Sequence, residues 1–88
     1  MATRTRASEV VPGFAERLAH TRTGYGKKIG DRDMHMGKFA AALGLEAETY
    51  RRYERGETEP SLAVLARVRD VTGVSLDYLV AVDVPTAA

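Results

Sequence analysis

The most pointed chemistry in this sequence lies in the run Ala47-Glu-Thr-Tyr-Arg-Arg-Tyr-Glu-Arg55. At roughly 100° per residue a helix places Tyr50 and Tyr53 on one side and Arg51, Arg52, Arg55 and Glu48 together on the other. A guanidinium is planar and permanently charged, so it pairs with phosphate oxygens or with the O6/N7 edge of guanine. Three of them on an outward face suit a helix lying in a major groove. The same face also reads as a solvated surface on which Glu48 and Arg52 form an ordinary i,i+4 pair worth about 0.3 to 0.5 kcal/mol. Taken alone, the run leaves both readings open.

Other chemistry is harder to assemble. Asp31, Asp33 and His35 alternate as metal ligands can, but in a polar stretch they read as a solvated turn. The glycines at 24, 26 and 30 do not make a dinucleotide fingerprint: Ile29 occupies a position that requires glycine, and no strand precedes them. The chain contains no cysteine, which removes disulfides, thiolate metal sites and a cysteine nucleophile. His20 is the other histidine, and no acid and base converge, so neither catalysis nor a cofactor is indicated. Tyr50, Tyr53 and Tyr78 read as core or rim aromatics, which tells against a stacking platform for single-stranded RNA.

The elements that must position the arginine face are short helices. The 88 residues, 44% apolar and 28% charged, make one small soluble domain with no room for a multidomain enzyme. Such a domain buries only about 60% of its unfolded surface, so helix ends must contribute visibly to stability. No stretch approaches the roughly 20 apolar residues of a membrane span, and no secretory leader is evident, so a cytoplasmic location is expected. The net charge is +1, but residues 1–55 carry +4 and residues 56–88 carry −3, so one part can face a polyanion while the other faces away. Residues 1–13 read as a flexible arm with Arg4 and Arg6. A first helix is predicted over Phe14 to Thr23, stopped by Gly24, with a long polar loop from Gly24 to His35. Met36, Phe39, Ala40 and Leu43 share one face of a second helix, and Gly44 follows it as a left-handed cap. The third helix, Ala47 to Arg55, ends at Gly56. Ser61 can cap a fourth, with Leu62, Leu65 and Val68 as its inner stripe, and Ser75 a fifth carrying Leu76, Asp77 and Leu79. Val80, Val82 and Val84 read as an added strand or as a tail.

A short helix, a glycine turn and a second helix with an arginine-rich outer face form a helix-turn-helix arrangement. Phe39-Ala-Ala-Ala-Leu-Gly-Leu-Glu-Ala-Glu-Thr-Tyr-Arg-Arg-Tyr-Glu-Arg-Gly-Glu-Thr-Glu-Pro-Ser61, with Gly73-Val-Ser-Leu-Asp-Tyr-Leu79, resembles the Cro and phage-repressor (Xre) helix-turn-helix family. The resemblance runs from about Phe14 to Val80. It implies an all-α, five-helix repressor-like domain over residues 14–80, followed by a C-terminal tail at 81–88. It further implies a transcriptional regulator acting as a homodimer on a two-fold symmetric duplex. Carried over by position, Ala47, Glu48 and Arg52 face base edges, Glu46 and Thr49 flank them, and Arg51 and Arg55 lie near phosphates. Met36 falls where the family usually keeps a polar phosphate-binding residue, and Arg22 and Glu54 match a pair that the family commonly joins.

The chain departs from that pattern in several places. Met36 lacks an amide donor, His35 stands where Ser or Thr is common, Glu46 and Glu48 put negative charge at the end that approaches a duplex, and Glu57 and Glu59 acidify a loop that is often basic in the family. Glutamates there repel phosphate, although one can accept from cytosine N4; they also stabilise a helix N-terminus through its dipole. Lys27, Lys28 and Arg32 either restore phosphate contacts or keep their loop soluble. The leading expectation is a sequence-specific double-stranded DNA binder with a steep salt dependence. The alternative is a helix-turn-helix fold that binds another protein, as an antiactivator or as the antitoxin of a toxin–antitoxin pair.

Overall fold

A computed structural model describes residues 11–81 of the chain. Five helices and no strand occupy the described residues: α1 Phe14–Lys28, α2 Met36–Ala42, α3 Ala47–Glu54, α4 Leu62–Thr72 and α5 Leu76–Leu79. The basic arm before residue 11, and Val82 and Val84 of the alternating tail, lie outside the described residues. Val11 packs against the edge of the core, so the residues just ahead of α1 belong to the fold rather than to an arm.

The first helix is longer than its sequence predicts. It runs through Gly24 and Gly26 to Lys28, and the connection to α2 shrinks to residues 29–35. Gly24 is open to solvent, where an interior glycine costs about 1 kcal/mol relative to alanine without breaking the helix. Gly26 serves packing: a Cβ there would run into the Asp31 carbonyl and stand 2.6 Å from Met34 Cβ. The residue that stops α1 is Gly30, at φ 86°. There the Asp31 N–H reaches back to the Gly26 carbonyl at 2.7 Å and the Gly30 N–H to the Lys27 carbonyl at 3.2 Å, the paired bonds of a Schellman cap that glycine alone enters without strain. The same pair of bonds closes α2 at Gly44 and α3 at Gly56.

Helix starts are set by side chains. Ser61 Oγ accepts the Val64 N–H at 3.2 Å and Ser75 Oγ the Tyr78 N–H at 3.0 Å. His35 does the same work for α2, its Nδ1 accepting the Lys38 N–H at 3.2 Å, so an imidazole substitutes for the usual hydroxyl. The core joins Phe14, Leu18, Met34, Phe39, Ala40, Leu43, Tyr50, Tyr53, Leu65, Val68 and Leu79. Its aromatic members meet edge-on, Phe39 with Tyr50 at 5.4 Å and Tyr50 with Tyr53 at 6.4 Å between ring centroids, a favourable arrangement for ring quadrupoles. Leu62 corrects the expected inner stripe of α4. It is 79% exposed, because its side of the first turn faces away from the core against which Val64 packs, and the buried face is Leu65, Val68 and Thr72 instead.

Two arginines outside the candidate face tie chain segments together. Arg17 donates to the carbonyls of Leu79 and Pro12, each at 3.1 Å, fastening α1 to the end of α5 and to the turn before α1. Arg67 of α4 donates to the Leu43 carbonyl at 2.9 Å, which anchors the α2–α3 turn.

Candidate nucleic-acid interface

The geometry of α3 follows from its two faces. Tyr50 and Tyr53 are buried beneath it, which turns Arg51, Arg52 and Arg55 outward at 42%, 54% and 47% side-chain exposure. Glu46 and Glu48 are exposed, and Ala47 and Thr49 are half-buried at the start of the same helix. The N-termini of α2 and α3 lie side by side, since a Cβ on Gly37 would stand 3.8 Å from that of Ala47. Met36 does not present a donor at this edge; its side chain packs partly against the core. Lys38 is exposed nearby and its ammonium is paired with Asp31.

Below α3 a buried polar network fixes its orientation. Arg22 Nε donates to Glu54 Oε2 at 2.7 Å, Arg22 Nη2 to Glu54 Oε1 at 3.1 Å, and Arg22 Nη1 to the Met34 carbonyl at 2.7 Å. The Tyr50 hydroxyl donates to Glu54 Oε2. One guanidinium thereby joins α1, α3 and the connection that precedes α2. The pair is largely out of solvent, with side-chain exposures of 16% for Arg22 and 8% for Glu54. The Glu54 bond holds the Arg22 guanidinium above its already high ordinary value. Burial first, and then Glu54, push the Tyr50 hydroxyl far up, so it stays protonated as a donor. No buried side-chain nitrogen or oxygen among the described residues lacks a partner.

The outer face carries its own carboxylates. Arg51 reaches Glu48 at 3.4 Å, Arg52 reaches it at 3.6 Å and Arg55 at 3.0 Å, while Arg55 also donates to Glu57 at 2.8 Å. The Arg55 bond leads the effects that hold the Glu48 carboxyl below its ordinary value. Glu57 leads those that raise Arg55. Pairs this exposed are weak and exchange readily with another anion.

Several sequence readings change in place. Lys27 and Lys28 are not loop residues; they occupy the last turn of α1, where they complement its dipole. Asp31 and His35 are engaged within the protein, Asp31 with Lys38 and the Asp33 N–H, and His35 with the Lys38 N–H. Lys38 leads the effects that lower the Asp31 carboxyl. Met34, Arg17 and Arg67 escaped sequence reasoning altogether. Met34 leaves a trace, a lone apolar residue inside a polar run, whereas the carbonyl partners of the two arginines leave none.

A helix-turn-helix family model matches residues 29–79. The chain is also similar to the SPbeta prophage-derived uncharacterized HTH-type transcriptional regulator YonR of Bacillus subtilis (strain 168), at 35% identity over 68 residues. That alignment takes in 75% of this chain and 55% of the relative, so the chain spans about half the relative's length. No solved structure gives a significant match. No helix among the described residues is long and apolar enough to cross a membrane.

Proposed function

The chain belongs to the helix-turn-helix family of the Cro and phage-repressor type, and from that premise we propose that it is a sequence-specific double-stranded DNA-binding transcriptional regulator. The observation that carries this reading is the outward arginine face of α3, backed by two buried tyrosines and held by the Arg22–Glu54 pair. Laid in the major groove, α3 brings Ala47, Glu48 and Arg52 to base edges, with Glu46 and Thr49 beside them and Arg51 and Arg55 toward the phosphates. The protein acts in the cytoplasm as a homodimer, whose two recognition helices meet half-sites about 34 Å apart. The binding domain covers residues 14–80 together with residues 11–13 packed ahead of them, and the basic arm and the valine tail lie outside it. No chemical step and no cofactor enters this reading.

Selection of duplexes from a random pool by the purified protein tests it. The expected product is a two-fold symmetric sequence. Arg52→Ala then weakens binding to that sequence by about 1 to 3 kcal/mol and relaxes preference at one position, while Arg55→Ala weakens all sequences alike. Retention of a protein partner from solution, with no duplex held at low salt, would replace this reading with a protein-binding role.

A further inference from the structure

Each arginine on the outer face of α3 already has a carboxylate partner. Glu48 lies three, four and seven residues before Arg51, Arg52 and Arg55, the spacings that share one helical stripe, and its carboxylate gathers all three at 3.4, 3.6 and 3.0 Å. Glu57 takes a second hold on Arg55 at 2.8 Å. Glu46 is exposed and makes no ion pair among the described residues. Glu54 of the same run is occupied underneath by Arg22. Between positions 46 and 57 the outward surface therefore sets three guanidiniums against the carboxylates of Glu46, Glu48 and Glu57. It is neutral before any duplex arrives.

Resting on the duplex-binding reading above, we propose that Glu48 is a specificity-determining residue that withholds Arg51 and Arg52 from an arbitrary duplex and releases them where a base offers it an amino group. The ion pairs are exposed and individually weak, so phosphates can compete for the guanidiniums. Once they do, the Glu48 carboxylate is left unpaired against a polyanion, and that repulsion opposes binding to any sequence. A cytosine in the major groove changes the balance, because its N4 amino group donates to a carboxylate. Glu48 then has a new partner, and the arginines are free for phosphate or guanine. Discrimination arises because the wrong sequence is penalised rather than because the right one gains many contacts. Arg55 has Glu57 as a second partner, so its attraction to phosphate is the same at every sequence.

The separation between masking and simple net charge is measurable. The full chain and its Glu48→Gln, Glu16→Gln and Glu48→Gln/Glu57→Gln variants are titrated with a short mixed-sequence duplex from roughly 50 to 200 mM salt, where each phosphate contact contributes about 0.9 to the slope of log K against log salt. Glu48→Gln frees Arg51 for phosphate and Arg52 for base edges, and the one added phosphate contact is expected to steepen that slope by about 0.9. The double variant frees Arg55 as well and steepens it by about 1.8. Glu16→Gln, at an exposed position in the first turn of α1, removes the same formal charge without freeing an arginine of α3, and its slope stays at the wild-type value. Duplexes selected by Glu48→Gln lose a cytosine preference that the wild type shows at one position of each half-site. Equal slopes for Glu16→Gln and Glu48→Gln, or a Glu48→Gln slope unchanged from wild type, would overturn the masking role while leaving duplex binding intact. Failure of the wild type and every variant to retain duplex at the lowest salt would instead remove the duplex-binding reading, and this inference with it.

Discussion

Replacing Arg22 with Met and Glu54 with Leu, singly and together, probes whether the buried network is one energetic unit. The chain's 88 residues suggest a net stability of roughly 4 to 13 kcal/mol, so a few kcal/mol is decisive. Arg22→Met leaves Glu54 with only the Tyr50 hydroxyl and strips the Met34 carbonyl of its donor. A carboxylate this deeply buried and robbed of its cation destabilises by about 3 kcal/mol. Glu54→Leu leaves the Arg22 guanidinium with one carbonyl and the Tyr50 hydroxyl with no acceptor, a loss of about 4 kcal/mol. The double variant removes both charges and fills their space with hydrocarbon, so it loses only about 2 kcal/mol. Urea unfolding followed by circular dichroism reads all three values, with unchanged slopes confirming that the unfolded states are comparable. The singles should melt some 12 to 32 °C below wild type, from about 4 to 8 °C per kcal/mol in a domain of this size. Coupling below about 0.5 kcal/mol, the level at which independent sites simply add, would refute the network as the tie that orients α3.

Alanine at Gly24 should stabilise the protein by about 0.5 to 1 kcal/mol, since the position is helical and empty space surrounds a Cβ there. At Gly26, two residues on, alanine should destabilise it by at least about 1 kcal/mol through collision with Met34 and the Asp31 backbone; thermal melts of the two variants must move in opposite directions. His35→Ala should lose about 1 kcal/mol by uncapping α2, whereas His35→Asn, which keeps an acceptor, should remain near wild type in the same melts. The Asp31 carboxyl is held below its ordinary 3.8 mainly by Lys38, so its contribution is complete above that value and disappears as pH falls through the lowered one. Asp31→Asn should therefore lower stability near neutral pH and flatten the acid limb of a stability–pH profile; an unchanged limb would count against the pair.

The unequal legibility of these features has a physical pattern. Ser61 and Ser75 announced α4 and α5 because a cap acts on an N–H three residues away, and Gly44 and Gly56 announced the ends of α2 and α3 because a Schellman cap closes within six residues. The tyrosine and arginine faces of α3 were equally plain, being set by helical period alone. Three glycines in a polar run, by contrast, did not say which of them stopped α1. Gly24 looked sufficient, yet the helix continued to Lys28.

The residue types and their local spacing determined that the chain forms short capped helices and that α3 sets aromatic rings against guanidiniums, since periodicity and capping act over a few residues. Only the tertiary structure decided that Gly26 is a packing site, that Leu62 faces solvent, and that Arg17 and Arg67 fasten distant carbonyls. It also decided that Arg22 holds Glu54 and the Met34 carbonyl at once. For the arginines those outcomes depend on which backbone oxygen or side chain arrives from 12 to 62 residues away, and neither helical period nor a cap's reach extends that far; at Gly26 and Leu62 they depend on what the folded chain packs over the position.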